Sequence, residues 1–431
     1  MLDVRHFRTD PDGVRVGLSR RGGDAASHVD RIVALDAEQR ALGTQRDEIR
    51  ARVKALSKDV GRLRGRGDID KAEALMAESR ALGDEEHRLD VEAGELAEQV
   101  RQLLLRTPNL PAADCPDGAG EADNVVLRTE GYDPAGYGEH QRVPHWDIGT
   151  ELGILDGERA AKISGSMFTM YRGWGARLLR AMVQLSLDRN ADAYEEIRPP
   201  TLVRTDTMVS TGHLPKFEEE AYHVERDDLW AIPTAEVPLT SLHRDEVLDR
   251  AELPLRYMAY TSCFRREAGA AGRDTRGLLR SHEFDKVELL AVAAGADQAI
   301  ACQEDVLARS ESLLTDLGLA YRVLDLCTGD LGASAARTWD IEAYAPGCDM
   351  WLEVSSVSWF ADYQARRANI RHRGAGEKGT EVCHTVNGSA MGWPRTVAAY
   401  LETHRQPDGS IGVVKVLQRY LGDVETIPPR P

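Results

Sequence analysis

Two runs of apolar residues with a seven-residue spacing constrain the fold most strongly. A Gly-Arg-Gly-Asp break at 65–68 separates them. Heptad spacing keeps one apolar stripe along a helix, which is typical of helices that pack as a coiled coil. We therefore predict an antiparallel hairpin within 28–106, with helices of about 35–40 residues and roughly 50–60 Å each. The two runs are Leu35, Leu42, Ile49, Leu56 and Leu63, and Leu75, Leu82, Leu89, Leu96 and Leu103.

Basic residues are concentrated toward the predicted tip of this hairpin. Residues 46–71 carry nine Lys or Arg and five Asp or Glu, a local charge of +4, whereas the whole chain carries −17. The overall charge argues against a protein that coats nucleic acid non-specifically. From this segment alone, two interpretations stay open: a spacer or dimerisation coiled coil, and an arm that contacts nucleic-acid phosphates. The candidate phosphate contacts are Arg50, Arg52, Lys54, Lys58, Arg62, Arg64 and Arg66.

The cysteines and the longest apolar runs limit the class of protein. The six cysteines include no Cys-x-x-Cys pair, so neither a disulfide framework nor a cysteine-rich zinc site is expected. The apolar runs are too short to span a bilayer, and the first residues lack the basic-then-apolar pattern of a secretory signal. We expect a cytoplasmic protein without a membrane partner.

The chain divides into two predicted domains, 1–106 and 125–431, because 107–124 is rich in Pro, Gly, Asp and Ala and predicts a linker. Strands and helices are mixed in the second domain without regular βαβ alternation, which indicates an α+β fold with a largely antiparallel sheet. No GxxxxGK[ST] motif is present, so a bound nucleotide would not lie on a P-loop. Strands are predicted at 229–233, 256–262, 285–293, 320–327 and 350–358, and helices at 173–190, 296–317 and 395–404.

The segment 263–289 combines arginines with carboxylates. The planar guanidinium fork suits phosphate oxygens, and nearby acids can hold Mg²⁺, an adenine amino group or a substrate ammonium. On the residues alone, a nucleoside triphosphate site and a solvated ion-pair surface both remain open. The arginines are Arg265, Arg266, Arg273, Arg276 and Arg280, and the acids are Glu267, Asp274, Glu283, Asp285 and Glu288.

This segment resembles motif 2 of class II aminoacyl-tRNA synthetases, in the form found in the seryl-tRNA synthetase family. Other motifs follow in that family's order: AYEEIRPPTLV at 193–203, TAE at 234–236, DLCTGDLGASAARTWDIEAY at 325–344, EVSSVSWFADYQARRANIR at 353–371 and HTVNGSAMGWPRTVAAYLE at 384–402. The resemblance covers essentially the whole chain. It implies a class II antiparallel-sheet catalytic domain, an N-terminal tRNA-binding domain whose arm reaches the variable arm of tRNA(Ser), and a homodimer formed through motif 1, which the segment 193–203 resembles.

The resemblance also implies an ATP site. Arg265, in FRRE, matches the arginine that binds the α-phosphate, and Glu267 matches the acid that meets adenine. Arg280 matches a second phosphate-binding arginine, Phe284 the ring that stacks on adenine, and Arg395 the arginine directed at the γ-phosphate.

The remaining family positions concern Mg²⁺ and serine. Glu353 and Ser356 match the residues that hold Mg²⁺, and Glu353 joins Arg265 and Arg395 as the residues expected to act directly in catalysis. Glu288 is expected to accept a hydrogen bond from the ammonium of serine, while Asn387 and Ser389 are expected to contact its hydroxyl. The implied serine-binding set is Thr234, Glu236, Arg265, Glu288, Asn387 and Ser389.

The implied activity is that of a serine–tRNA ligase, which forms seryl-adenylate from serine and ATP and transfers the seryl group to tRNA(Ser). Some positions depart from the family pattern, and we expect two of them, Trp359 and Trp393, to insert large side chains into the wall of the pocket. These departures leave open a specialised paralogue that serves natural-product biosynthesis or inhibitor resistance. A non-catalytic tRNA-binding protein is a further alternative. The departures are Met167, Arg266, Val357, Trp359 and the run 390–394.

Overall fold

A computed structural model describes residues 1–269 and 275–429. Arg273 and Asp274 of the arginine-rich segment lie outside the described residues. The chain forms two compact units: one comprises Leu2–Ser19 and Gly23–Pro108, and the other comprises Met1, Arg20–Gly22 and Asn109–Pro431. No helix within the described ranges is long and apolar enough to cross a membrane.

The first unit is helical and is dominated by two helices of 38 residues each. Heptad positions Leu56, Leu89 and Leu96 are buried where the long helices pack together, so the predicted antiparallel hairpin is confirmed. The first long helix ends at Gly67, whose φ of 81° lies in the left-handed region that favours glycine. The helices are α1 Val4–Thr9, α2 Pro11–Ser19, α3 Val29–Arg66 and α4 Ile69–Arg106.

The basic side chains near the hairpin tip are exposed, and several pair with acids of the same unit. Arg50 Nε lies 2.7 Å from Glu86 Oε1, and Arg52 Nη2 lies 2.9 Å from Glu78 Oε1. Such exposed pairs contribute little to stability, so they leave the side chains able to exchange partners. The exposed residues are Arg50, Arg52, Lys54, Lys58, Arg62, Arg64 and Arg66.

The second unit is built on an eight-stranded sheet in the order β1-β5-β6-β7-β8-β4-β3-β2. All neighbours in this sheet are antiparallel except β2 and β3, which run parallel. The predicted α+β class with a largely antiparallel sheet is confirmed. The strands are β1 Val125–Glu130, β2 Glu195–Glu196, β3 Leu255–Phe264, β4 Glu283–Ala293, β5 Tyr321–Asp325, β6 Arg337–Ala345, β7 Met350–Trp359 and β8 His384–Gly392.

Helices cover the sheet and form its main apolar core. In α10, apolar residues such as Ala299, Val306 and Leu313 recur on one face and pack against β4, β7 and β8. In α12, Val397 and Leu401 are buried in the same core. The helices of this unit are α5 His145–Glu151, α6 Gly157–Ser164, α7 Trp174–Asn190, α8 Thr205–Thr211, α9 Glu236–Thr240, α10 Ala296–Asp316, α11 Tyr363–Ala368, α12 Trp393–Thr403 and α13 Lys415–Leu421.

Three small sheets complete the second unit. One contains Leu202–Arg204, Leu229–Ala231 and His223–Val224, and a second contains Glu381–Val382, Arg371–Arg373 and Val247–Asp249. Ile411–Gly412 pairs with Thr426–Ile427 in the third. The first of these sheets leads into the TAE motif at 234–236, whose glutamate begins α9.

Candidate active site

One face of the large sheet forms the floor of a cleft of about 980 Å³. The register explains why distant motifs meet there: Glu288 of β4 pairs with Ser389 of β8, and Asn387 of β8 pairs with Ser358 of β7. Paired residues of neighbouring strands point to the same side of a sheet. All twelve predicted ATP, serine and Mg²⁺ residues line this cleft: Thr234, Glu236, Arg265, Glu267, Arg280, Phe284, Glu288, Glu353, Ser356, Asn387, Ser389 and Arg395.

Arginines of motif 2 are held at the end of the β3–β4 pair. The Arg265 guanidinium lies over the Phe284 ring at 5.1 Å, and its Nε donates to Pro233 O at 3.3 Å. Arg280 Nη1 pairs with Glu267 Oε2 at 2.8 Å, and both side chains are largely buried. The end of this strand pair therefore offers the cleft one guanidinium over an aromatic ring and a second guanidinium paired with an acid, groups that can contact a charged, planar nucleotide.

Arg395 approaches the cleft from the first turn of α12. Its Nε donates to Leu279 O at 3.1 Å and its Nη1 donates to Glu353 O at 3.1 Å. Nη1 also lies 3.4 Å from Glu353 Oε2, a loose ion pair that leaves the carboxylate half exposed. Backbone carbonyls of two different motifs thus fix the guanidinium while its charge stays only partly compensated.

A buried network surrounds Glu288, which is 1% exposed. Thr234 Oγ1 donates to Glu288 Oε2 at 3.0 Å and accepts from Lys286 Nζ at 2.8 Å. Lys286 also forms an ion pair with Glu288. A buried carboxylate needs such partners, and the lysine ammonium shows that this oxygen can accept from a cationic nitrogen.

A second buried acid, Glu236, lies next to this network. Gln364 Nε2 donates to Glu236 Oε1 at 2.6 Å, and Thr385 Oγ1 donates to Gln364 Oε1 at 2.7 Å. Burial, together with the negative charge of Glu288, raises the pKa of Glu236 to about 7. The charge of the Glu236 carboxyl therefore changes near neutral pH.

Acids of β6 and β7 form a third group in the cleft. Asp340 pairs in register with Ser356, and Glu342 pairs with Glu353. Burial and the charge of Glu353 raise the pKa of Asp340 well above its usual range, and burial raises that of Glu342. Asp340 Oδ1 is buried and accepts no hydrogen bond from the described part of the chain. A buried carboxylate oxygen without a partner among the described residues, close to the Ser356 hydroxyl and the half-exposed Glu353 carboxylate, fits a divalent cation such as Mg²⁺.

The prediction that Trp359 and Trp393 insert large side chains into the wall of the pocket is wrong, because neither lines the cleft. Trp393 is 1% exposed and lies in the main core. Trp359 packs on the same core and stacks on His384, with ring centroids 5.9 Å apart. Successive strand residues point to opposite faces, so Ser358 lines the cleft while Trp359 and Val357 point away from it.

Two residues that line the cleft were missed in the sequence, Lys286 and Asp340, and so was Gln364, which is fully buried and donates to Glu236. Lys286 stands two residues from both Phe284 and Glu288 in β4, so alternation alone places the three on one face. Asp340 and Gln364 offered no such signal, because their partners lie on other segments. Cys263, next to the cleft in sequence, is buried in β3, and burial raises the pKa of its thiol.

Comparison with known proteins places this geometry in a family. The family model described as the seryl-tRNA synthetase N-terminal domain matches residues 1–111, and that described as the tRNA synthetase class II core domain (G, H, P, S and T) matches 217–404. A serine–tRNA ligase of Geobacillus kaustophilus is 46% identical over 99% of this chain and 100% of its own length. That of Herpetosiphon aurantiacus is 43% identical over the same shares.

A solved structure agrees with these relatives. The seryl-tRNA synthetase of Pyrococcus horikoshii, determined in complex with ATP, superposes with a TM-score of 0.92, at 33% identity and with full coverage of both chains. Identity, coverage and fold thus agree over the whole length. The chain belongs to the seryl-tRNA synthetase family, the serine–tRNA ligases of class II.

Proposed function

We propose that the cleft binds serine and ATP together, forms seryl-adenylate and passes the seryl group to tRNA(Ser). The observation that carries the proposal is the division of one cleft into two chemically different parts. Arg265, Arg280 and Arg395 offer cationic forks for a triphosphate, and the network around Glu288 offers small, buried polar groups. Serine and ATP need these two kinds of group next to each other.

In the first step, a carboxylate oxygen of serine attacks the α-phosphorus of ATP. The new oxygen–phosphorus bond forms as the bond to the β-bridging oxygen breaks, and pyrophosphate leaves. Arg265 stabilises the charge that develops on the α-phosphate, and Arg395 orients the leaving group at the γ-phosphate. Glu353 and Ser356 would hold Mg²⁺, which neutralises part of the triphosphate charge when bound.

Recognition of serine depends on groups that lose their partners when a wrong amino acid binds. The ammonium of serine replaces Lys286 Nζ at Glu288 Oε2, beside Thr234. Asn387 and Ser389 meet the hydroxyl. An amino acid without this hydroxyl leaves buried polar atoms unpaired. Because this costs free energy, the site should use such an amino acid much less efficiently than serine.

In the second step, the terminal ribose hydroxyl of tRNA attacks the acyl carbon, AMP leaves and the hydroxyl proton is released. The exposed basic residues of α3 would contact phosphates of the tRNA variable arm. We also infer a homodimer through the motif-1-like segment 193–203 and a cytoplasmic location, which suits the six free cysteines. The departures at Val357, Trp359 and Trp393 lie away from the cleft, so they give no support to a specialised paralogue.

Charging of tRNA(Ser) tests the complete proposal. We expect the protein to esterify intact tRNA(Ser) with serine, and to lose most of this activity when the variable arm is deleted. Equal charging of both tRNAs would contradict the role of the helical hairpin. Absence of charging with either tRNA would contradict the transfer step.

A further inference from the structure

A buried pair outside the substrate cleft, His145 and Glu402, has no role in the chemistry above. Both side chains are 0% exposed, and His145 Nδ1 lies 2.7 Å from Glu402 Oε1. The carboxylate also accepts from the backbone N–H groups of His145 at 2.8 Å, Gly347 at 2.8 Å and Cys348 at 3.1 Å. The Cys348 thiol donates to Oε1 at 3.0 Å. Glu402 is therefore fully engaged as an acceptor.

The second ring nitrogen of His145 faces motif 2. The backbone N–H of Leu278 donates to His145 Nε2 at 2.9 Å, so Nε2 is the acceptor and the ring proton lies on Nδ1, toward Glu402. His145, Cys348 and Glu402 are close enough to ligate a metal ion. Both ring nitrogens are already engaged, however, and each donor near the carboxylate has its acceptor. The geometry fits a hydrogen-bonded pair, His145 with Glu402, that holds the Leu278 backbone, and not a metal centre.

The backbone that the His145–Glu402 pair holds at Leu278 leads directly into the cleft. Leu278 is followed by Leu279, whose carbonyl oxygen accepts from Arg395 Nε at 3.1 Å, and then by Arg280, which pairs with Glu267. The preceding Gly277 has a φ of 58°, and a Cβ there would lie 2.4 Å from His145 Nε2. The backbone of motif 2 therefore approaches the imidazole as closely as a residue without a side chain permits.

Glu402 and Arg395 lie on the same helix, α12. The contacts run from Glu402 through His145 to Leu278 and, one residue later, from Leu279 back to Arg395. This closed series of contacts connects the cleft end of motif 2 to α12 at two points. Displacement of the Leu278 backbone would therefore move both the Leu279 carbonyl oxygen, which accepts from Arg395, and the backbone that carries Arg280.

We propose that His145, oriented by Glu402, is a positioning residue for ATP: it fixes the Leu278–Arg280 backbone so that Arg280 and Arg395 meet the triphosphate. The proposal rests on the proposed function, because it assigns these two arginines to ATP. His145 touches no substrate. Its loss should weaken the use of ATP while leaving the serine network around Glu288 intact.

Two substitutions separate the two bonds of the imidazole. In His145→Asn the amide lies near the position of Nδ1 and keeps the bond to Glu402, but it does not reach Leu278. In His145→Gln the amide oxygen lies near the position of Nε2 and accepts from Leu278. In serine-dependent ATP–pyrophosphate exchange, we expect His145→Asn to raise KM for ATP about tenfold with KM for serine changed less than about twofold. His145→Gln should restore KM for ATP to within about threefold of the wild-type value.

His404→Asn is the matched control, because His404 is a histidine at the end of α12 whose Nε2 bonds to Leu317 O at 2.8 Å, away from motif 2. It should lower Tm without changing KM for ATP. Hydrogen exchange of a peptide containing the Leu278 amide gives a readout independent of activity: without ligands, exchange should be about tenfold faster in His145→Asn than in His145→Gln.

The outcomes distinguish the two proposals. If both His145 variants lower Tm as His404→Asn does, with unchanged KM for ATP and unchanged exchange of the Leu278 amide, the positioning role is refuted. If the wild-type protein shows no serine-dependent exchange activity, the proposed function fails. The amide exchange of the two variants then still decides whether His145 fixes the Leu278 backbone.

Discussion

The buried carboxyl of Glu236 gives a quantitative prediction about stability and pH. It is 8% exposed, and burial beside the charge of Glu288 raises its pKa from an ordinary 4.5 to about 7. Below pH 4.5 the carboxyl is protonated in the folded and the unfolded chain alike. Between 4.5 and about 7 the unfolded chain releases a proton that the folded chain keeps, so the free energy of unfolding falls as the pH rises.

The size of this effect follows from the two pKa values. A difference between 4.5 and about 7 corresponds to about 3 kcal/mol, at about 1.4 kcal/mol for each pKa unit. Glu236→Gln removes the titration and still accepts the hydrogen bond from Gln364. We therefore expect the substitution to stabilise the ligand-free protein progressively, by little at pH 5 and by about 3 kcal/mol at pH 8.

Denaturant unfolding followed by tryptophan fluorescence measures this difference. All seven tryptophans lie within 109–431, so the signal reports the unit that contains Glu236. Glu225→Gln, at an exposed position of the same unit, is the control for a change of charge without burial. If the stability difference between Glu236→Gln and wild type is the same at pH 5 and pH 8, Glu236 titrates as an ordinary carboxyl and the reasoning is wrong.

Three further predictions concern substrate binding. Glu288→Gln should raise KM for serine by 10- to 100-fold, because it loses a charge-assisted hydrogen bond of about 1.5–3 kcal/mol; an unchanged KM in ATP–pyrophosphate exchange would remove Glu288 from the serine site. Arg395→Lys keeps the charge but loses the guanidinium fork that donates to Leu279 O and that we assign to the triphosphate, so kcat for exchange should fall about 100-fold, and a wild-type kcat would contradict this role. Replacement of Arg62 and Arg64 by Gln should raise KM for tRNA(Ser) and make its salt dependence shallower, and an unchanged salt slope would show that these side chains contact no phosphate.

The helical hairpin could be predicted from the sequence because its signal is local. Each heptad position is seven residues from the next, and the break near Gly67 ends the first helix without reference to any other segment. The large sheet was harder to predict, and four of its strands, β1, β2, β6 and β8, are absent from the predicted strands. Taken alone, Asn387-Gly388-Ser389 is typical of a turn, yet the three residues lie within β8.

Gly388 illustrates why the local sequence pattern does not predict β8. Its Cβ would lie 2.6 Å from Val306 of α10 and 2.9 Å from Val357 of β7. The glycine therefore serves the close approach of a helix and a neighbouring strand, which depends on tertiary packing and leaves no trace in the surrounding residues.

The cleft residues were predictable where a family motif carries them, as at Arg265 and Arg395. The positions of Trp359, in β7, and Trp393, in α12, were predicted wrongly because motif matching does not state which face of a strand or helix a residue occupies. In β7, a register shift opposite Ile341 and Glu342 leaves an extra residue between Glu353 and Ser355. Such a bulge changes the alternation, so both Glu353 and Ser356 reach the cleft although an odd number of positions separates them.

Serine-dependent ATP–pyrophosphate exchange tests the central claim most directly, namely that one cleft joins serine to ATP. We expect rapid exchange with serine, and exchange at least about 100-fold weaker with alanine, which lacks the hydroxyl that we assign to Asn387 and Ser389. Exchange that is absent with serine, or equal with serine and alanine, would contradict it.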